Sequence, residues 1–190
     1  MYRKILFALA AIAGIPAALC AQQKENMNGR HSSDSILVAY FSATGTTARA
    51  AEMVAEATGG DLYEITPARP YTRADLDWND KRSRSSVEMN DLHSRPALGG
   101  KGLDTDGYDV VFIGYPIWWN LAPRVVNTFI ESHDLRGKTV IPFATSGGSG
   151  IANSVAALRK AYPGLDWREG RLLNRADGKT VRQWVETLEY

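Results

Sequence analysis

Apolar and polar positions alternate along this chain in two distinct periods, and the changes of period mark its elements. Ile36 to Phe41 is a short apolar run rich in β-branched and aromatic residues, which predicts a buried strand. From Thr46 the chain is helix-compatible, with Ala48, Ala50, Ala51, Met53, Val54 and Ala55, and Gly59-Gly60 ends that helix. Asp61 to Ile65 alternates as a second strand and is broken by Thr66-Pro67. Tyr71 to Gly107 is harder to read. Its sparse apolar points Leu76, Val87, Met89 and Leu92 predict a surface helix within Asp75–Leu92.

The pattern sharpens again at Tyr108 to Gly114, a third buried strand. A loop bounded by Pro116 and Pro123 leads to a helix over Arg124–His133, with Val125, Val126, Phe129 and Ile130 on one face. Lys138–Ala144 predicts a fourth strand, Ile151–Tyr162 a helix, and Trp167–Leu173 a fifth, weak strand. Lys179–Glu189 closes the chain as a helix with a stripe of Val181, Trp184, Val185 and Leu188. Strand and helix alternating five times imply an α/β fold with a doubly wound parallel sheet. In such sheets a ligand sits beyond the C-terminal strand ends. Three loops fall at that edge: Ser42–Thr47, Tyr115–Ala122 and Thr145–Gly150.

The first residues stand apart from this pattern. Arg3 and Lys4 precede an uncharged apolar run from Ile5 to Leu19, short for a membrane span, and Ala18-Leu19-Cys20-Ala21 follows. Residues 1–21 read as a secretory signal cut after Ala21, giving an exported periplasmic or extracellular protein without a membrane span. Lipidation at Cys20 is the less favoured reading, because Leu19 is bulky where that processing prefers a small residue. Gln22–Ser35 is a polar tether, and the domain proper spans 36–190. Removing 1–21 leaves 20 basic residues against 21 acidic ones and no cysteine. A near-neutral chain without a basic patch argues against nucleic acid as a partner. His31, His93 and His133 are scattered, without the spacing of metal ligands.

The first loop places four hydroxyl residues and a glycine in six positions, at the start of a helix. Free N–H groups and the positive end of the helix dipole make such a turn a pocket for phosphate. It lacks the lysine and the first glycine of a nucleoside-triphosphate loop, so one terminal phosphate held by neutral donors fits it best. The competing reading is a hydroxyl-rich turn that only caps a helix. Trp118 and Trp119 either plug the sheet end or offer an indole to a flat ligand. The glycines of Ser146–Gly150 let backbone approach a ring edge and present N–H groups to its carbonyls. A phospho-receiver domain would need acidic residues where Phe41-Ser42 and Gly114-Tyr115 stand, and Gly147-Gly148-Ser149-Gly150-Ile151 misses the last glycine of a hydrolase elbow.

Together these loops resemble the flavodoxin-like proteins, over roughly Ile36 to Tyr190. Ser42-x-Thr44-Gly45-x-Thr47 matches the phosphate-turn pattern of that family. Tyr115-Pro116-Ile117-Trp118-Trp119 and Phe143-Ala144-Thr145-Ser146-Gly147-Gly148 look like the two flavin-ring loops of a bacterial, exported subfamily. The resemblance implies five strands in the order 2-1-3-4-5 and non-covalent FMN. It puts the phosphate on Ser42, Thr44, Gly45, Thr46 and Thr47. It puts the ring between Pro116, Ile117, Trp118, Trp119 and Asn120 on one side and Thr145, Ser146, Gly147 and Gly148 on the other. It also implies a small-molecule or protein redox partner.

Two departures bear on the role. Electron-shuttling members are typically very acidic, and this chain is near neutral. Tyr115–Ala122 contains no glycine, whereas shuttles often flip a glycine peptide there to hold one-electron-reduced flavin. A flip would force a residue with a side chain, such as Ile117 or Trp118, towards positive φ. Both departures favour two-electron chemistry with NAD(P)H and a quinone. A fold that has lost FMN and serves as a binding module is the non-enzymatic alternative.

Overall fold

A computed structural model describes residues 35–190. The expected signal and all but the last residue of the tether lie outside the described residues. The chain runs β1 (Ile36–Tyr40), α1 (Thr46–Thr58), β2 (Asp61–Glu64), α2 (Arg84–Asn90), β3 (Val110–Pro116) and α3 (Arg124–Ser132). It continues with β4 (Thr139–Thr145), α4 (Ala152–Ala161), β5 (Asp166–Trp167), β6 (Arg171–Leu172) and α5 (Gly178–Val185). The strands form one parallel sheet in the order β2-β1-β3-β4-β5, with β6 also paired to β4.

The pleat sends alternate residues of each strand to opposite faces. Leu37 and Ala39 of β1, with Val111 and Ile113 of β3, pack in one core with Val125, Val126 and Phe129 of α3 and Leu158 of α4. Val38 and Tyr40, with Val110 and Phe112, pack in the other with Val54 of α1 and Trp184 of α5. Both faces of the sheet are therefore covered, which is why its strands read as unbroken apolar runs. Gly114 belongs to this packing. It pairs with Phe143, and a Cβ there would stand 2.2 Å from the Phe143 ring.

Two expected elements are shorter than the sequence pattern predicts. The fifth strand is broken into β5 and β6, and Pro142 supplies the reason. Arg168 N–H donates to Val140 O and Leu173 N–H donates to Ala144 O, both at 2.8 Å. Pro142, between those acceptors, faces the same side and has no N–H to offer. The neighbouring chain pairs before and after that gap. The expected Asp75–Leu92 helix contracts to Arg84–Asn90. Ahead of it, Asp75, Asp77 and Asp80 accept N–H bonds from Thr72, Asn79 and Arg82. Such side-chain turns compete with helix, and Ser83 begins the helix by accepting from Ser86 N–H.

Candidate functional site

The C-terminal ends of the adjacent strands β1, β3 and β4 bring the three loops together. Tyr40 pairs with Gly114 and Pro116 with Thr145, so the loops start from one edge. Two bonds then tie them. The buried hydroxyls of Thr47 and Thr145 lie 2.8 Å apart, and Ile117 N–H donates to Thr145 O at 2.8 Å.

In the first loop, Gly45 is the N-cap of α1 at φ 83, a conformation that glycine adopts without a Cβ penalty. It brings no side chain to cap the helix, and the first turn of α1 carries no acidic residue. Ser42 Oγ accepts from Gly45 N–H at 3.1 Å and so folds the turn. Thr44, Gly45 and Thr46 are exposed, Ser42 is half-buried, and Thr47 is buried against Thr145. The start of a thirteen-residue helix is thus open to solvent and surrounded by neutral donors, as an anion requires.

A cavity of about 370 Å³ borders this turn. Ala43 and Thr44 line it from the first loop, and Pro116, Ile117, Trp118 and Trp119 from the second. Leu76, Trp78 and Ser85 close it from the segment between β2 and β3. Trp78 is 72% exposed and Trp119 46%. Two large indoles facing solvent and one cavity are costly surface for a solitary domain, and a flat aromatic ligand would cover them. Trp78 escaped the sequence reading because Tyr71–Gly107 has no periodicity to place it. Its signal was only a tryptophan in a polar stretch.

The two neighbouring tryptophans have different jobs. Trp118 packs edge-on against Phe41 and Tyr71, with centroids 5.6 and 5.3 Å away, and extends the core. Tyr71 is in turn bonded to Glu88 and covered by the Arg84 guanidinium, 4.0 Å from the ring centroid. Burial, then the bond to Glu88, pushes the Tyr71 hydroxyl well above its ordinary pKa, so it stays protonated and holds this wall. Trp119 stands at the tip of a tight hairpin. Trp118 and Leu121 exchange N–H···O bonds of 2.9 Å, and between them Trp119 and Asn120 sit at φ 46 and 62. That is a type I′ turn, which favours Asn-Gly. Positive φ without glycine is therefore present in this loop, at Asn120, whose side chain tolerates it, and also at Trp119. It falls on Trp119 and Asn120 rather than on Ile117 or Trp118.

The third loop also corrects an expectation. Ser146 N–H donates to Asn174 Oδ1 and Asn174 Nδ2 donates to Ser146 O, both at 2.7 Å. Gly148 and Ser149 N–H groups donate to Ser146 Oγ. The N–H groups of Ser146 and Gly148 are thus engaged within the protein, whereas Gly147 N–H has no hydrogen-bond partner among the described residues. Asn174 follows the broken fifth strand, and no local pattern marks it as a partner of Ser146. Thr145 to Gly148 do not line the 370 Å³ cavity, nor does Asn120. The third loop is tied to the cavity wall through the bond from Ile117 N–H to Thr145 O.

A family model described as flavodoxin matches residues 35–188. Among solved structures, a Bacteroides uniformis protein described provisionally as a flavoprotein is 63% identical, with a TM-score of 0.80. That match covers 81% of this chain and 99% of the other. A similarly described Bacteroides eggerthii protein is 69% identical at a TM-score of 0.78, covering 80% of this chain and 96% of its own. The flavoprotein of Lactobacillus acidophilus, solved in complex with FMN, is 21% identical over 80% of this chain and 99% of its own, at a TM-score of 0.62. At that distance it shows the fold alone. No curated protein matches. The parallel sheet in the order 2-1-3-4-5 and the match across 35–188 agree: the chain belongs to the flavodoxin family.

Proposed function

We propose that the domain is an FMN-binding redox protein that carries out electron transfer or oxidoreduction. The observation that carries this reading is that Thr44 adjoins an uncapped helix start and lines a cavity walled by Trp78 and Trp119. One end of that arrangement suits a phosphate and the other a planar aromatic ring. Its volume of about 370 Å³ lies within the ~300–1,000 Å³ usual for small-molecule sites. Family membership assigns FMN as the cofactor, and when bound it supplies the capacity to take up and release electrons.

Ser42, Thr44, Gly45, Thr46 and Thr47 would hold the phosphate through hydroxyls and helix N–H groups. Pro116, Ile117 and Trp119 would flank the ring, with Trp118 as their support. Asn120 sets the hairpin tip. Thr145, Ser146, Gly147 and Gly148 would form the remaining side, held by Asn174. The partner is a small molecule or a protein that exchanges electrons with the flavin.

A second reading is two-electron reduction, with NAD(P)H as donor and a quinone as acceptor. The left-handed backbone at Trp119 favours it, because that conformation resists peptide reversal in the loop. We place the mature domain outside the cytoplasm, beginning at Gln22. Intact mass of native material tests this, and a lipidated Cys20 would overturn it. Among the described residues no helix is long and apolar enough to cross a membrane.

The decisive experiment is a visible absorption spectrum of the purified domain during titration with FMN. Flavin bands that shift and saturate at about one FMN per chain are expected. No bands and no spectral change would replace this reading with that of a binding module.

A further inference from the structure

The chain holds five tryptophans, and three of them are built into the fold. Trp118 packs against Phe41 and Tyr71, Trp167 donates through Nε1 to Tyr162 O at 3.0 Å, and Trp184 meets Phe112 edge-on at 5.9 Å. Trp78 and Trp119 differ. Among the described residues neither has an indole hydrogen bond or a ring contact, and both line the cavity of about 370 Å³.

The backbone at Trp78 is nevertheless fixed. Asp80 N–H donates to Asp77 O at 3.1 Å across it, and Asn79 N–H donates to Asp77 Oδ1 at 3.0 Å. Ser85 N–H donates to Asp75 O at 2.9 Å and ties this segment to the start of α2. A braced turn thus presents to solvent an indole that is 72% exposed.

The cavity itself carries no charge. None of the nine residues that line it is ionisable. The start of α1 beside it is the place that the phosphate of a bound FMN would occupy. What remains for a second molecule is apolar and aromatic surface. Moving a charge onto such surface is costly, whereas a flat uncharged ring gains by stacking. The two free indoles also come from different parts of the chain. Trp119 belongs to the loop after β3 that would flank the flavin ring. Trp78 belongs to the segment between β2 and α2, and it is the more exposed of the two.

We propose that Trp78 binds the molecule that exchanges electrons with the flavin, and that this molecule is a small, uncharged, planar aromatic compound of the quinone kind. The inference rests on the FMN reading above, and within it selects a small molecule over a protein as partner. It concerns binding alone, and no bond forms or breaks at Trp78.

The test uses the full mature chain loaded with oxidised FMN, so that affinity is read without electron transfer. Equilibrium dialysis compares three probes. 1,4-Naphthoquinone is flat and uncharged, 1,4-naphthoquinone-2-sulfonate adds a charge to the same ring, and cyclohexane-1,4-dione keeps two carbonyls without the aromatic plane. The first should bind roughly tenfold or more tightly than either of the others. Trp78→Ala should weaken it by roughly three- to tenfold, and Trp78→Phe by less. Val87→Ala, at an exposed apolar residue outside the cavity, should leave it unchanged. Fluorescence titration with FMN alone runs in parallel, and in Trp78→Ala the affinity for FMN should fall less than that for naphthoquinone. No FMN binding to the wild-type chain would end the FMN reading and this one with it. With FMN bound, no uptake of naphthoquinone, an equal affinity for its sulfonate, or a Trp78→Ala loss as large for FMN as for naphthoquinone would overturn this proposal alone.

Discussion

The hydroxyls of Thr47 and Thr145 lie 2.8 Å apart, buried between the first turn of α1 and the end of β4. Thr47 is 1% exposed and Thr145 3%. The first loop is thereby fastened to the third. Replacing either residue by valine keeps the shape and strands the other hydroxyl, at a cost of ~1–3 kcal/mol. Replacing both leaves no unpaired group, so the double variant should lose clearly less than the sum. Urea unfolding of the four proteins measures this, and additive losses would show that the two hydroxyls do not support one another.

The phosphate turn gives the second expectation. Thr44 is exposed beside an uncapped helix start and lines the cavity of about 370 Å³. Thr44→Ala should weaken FMN by roughly 1.5–3 kcal/mol, the range for a hydrogen bond to a charged group. Riboflavin lacks the phosphate and should lose little. Fluorescence titration with both flavins gives the comparison. Equal losses would show that the hydroxyl serves the ring or the fold instead.

These outcomes concern the part of the site that was legible beforehand. Ser42–Thr47 is read from six consecutive residues, and the strands from short runs, because local period and local turn chemistry decide both. What escaped depends on contacts distant in sequence or on single exceptions to a pattern. Pro142 looked like one residue in an apolar strand, and its missing N–H only matters against the neighbouring strand. Asn174 reaches Ser146 across 28 positions. Trp78 belongs to a segment whose aspartates make turns rather than a helix, so no period placed it at the cavity. In the turn at Trp119-Asn120 only Asn120 announces positive φ, and nothing in the sequence extends it to Trp119.

Acid should act on the network that joins Arg95, Glu131 and Tyr162. The Glu131 carboxyl is held below its ordinary pKa chiefly by its bond from Arg95, against a smaller opposing effect of burial, with Tyr162 adding a second bond. A carboxyl depressed in the folded state contributes stability above its unfolded pKa of ~4.3, and loses it as pH falls through the folded value. Arg95→Gln should therefore cost stability at neutral pH and progressively less below about pH 4. Both side chains are substantially exposed, at 32% and 41%, so the neutral-pH loss should be roughly 0–1 kcal/mol. Asp75, Asp80, Asp134 and Asp177 are also held low by hydrogen bonds, so the variant keeps an acid limb of its own. Urea midpoints across the acid range test the difference. A wild-type-to-variant gap that does not shrink in acid would contradict this account.

The hairpin tip decides how the flavin should reduce. A type I′ turn holds both central residues at positive φ, here Trp119 and Asn120. Reversing the peptide between them gives a type II′ turn. That relieves Asn120 but leaves Trp119 in the first central position, which glycine occupies in such turns. In the two-electron reading proposed above, the resistance to peptide reversal rests on Trp119, while Asn120 already tolerates left-handed backbone. Strain of this kind is of order 1–3 kcal/mol, and ~1.4 kcal/mol is a tenfold change in an equilibrium. Stepwise photoreduction should therefore pass from oxidised to fully reduced flavin with little radical absorbance, one to two decades below a loop free to reverse. Trp119 also walls the cavity, so removing its ring has effects of its own. Trp119→Ala removes the ring but keeps a Cβ, whereas Trp119→Gly also frees the backbone. The glycine variant should accumulate clearly more radical than the alanine variant. NAD(P)H and a quinone then serve as two-electron substrates for the wild-type protein. Abundant radical in the wild type, or no difference between the two variants, would restore the one-electron carrier.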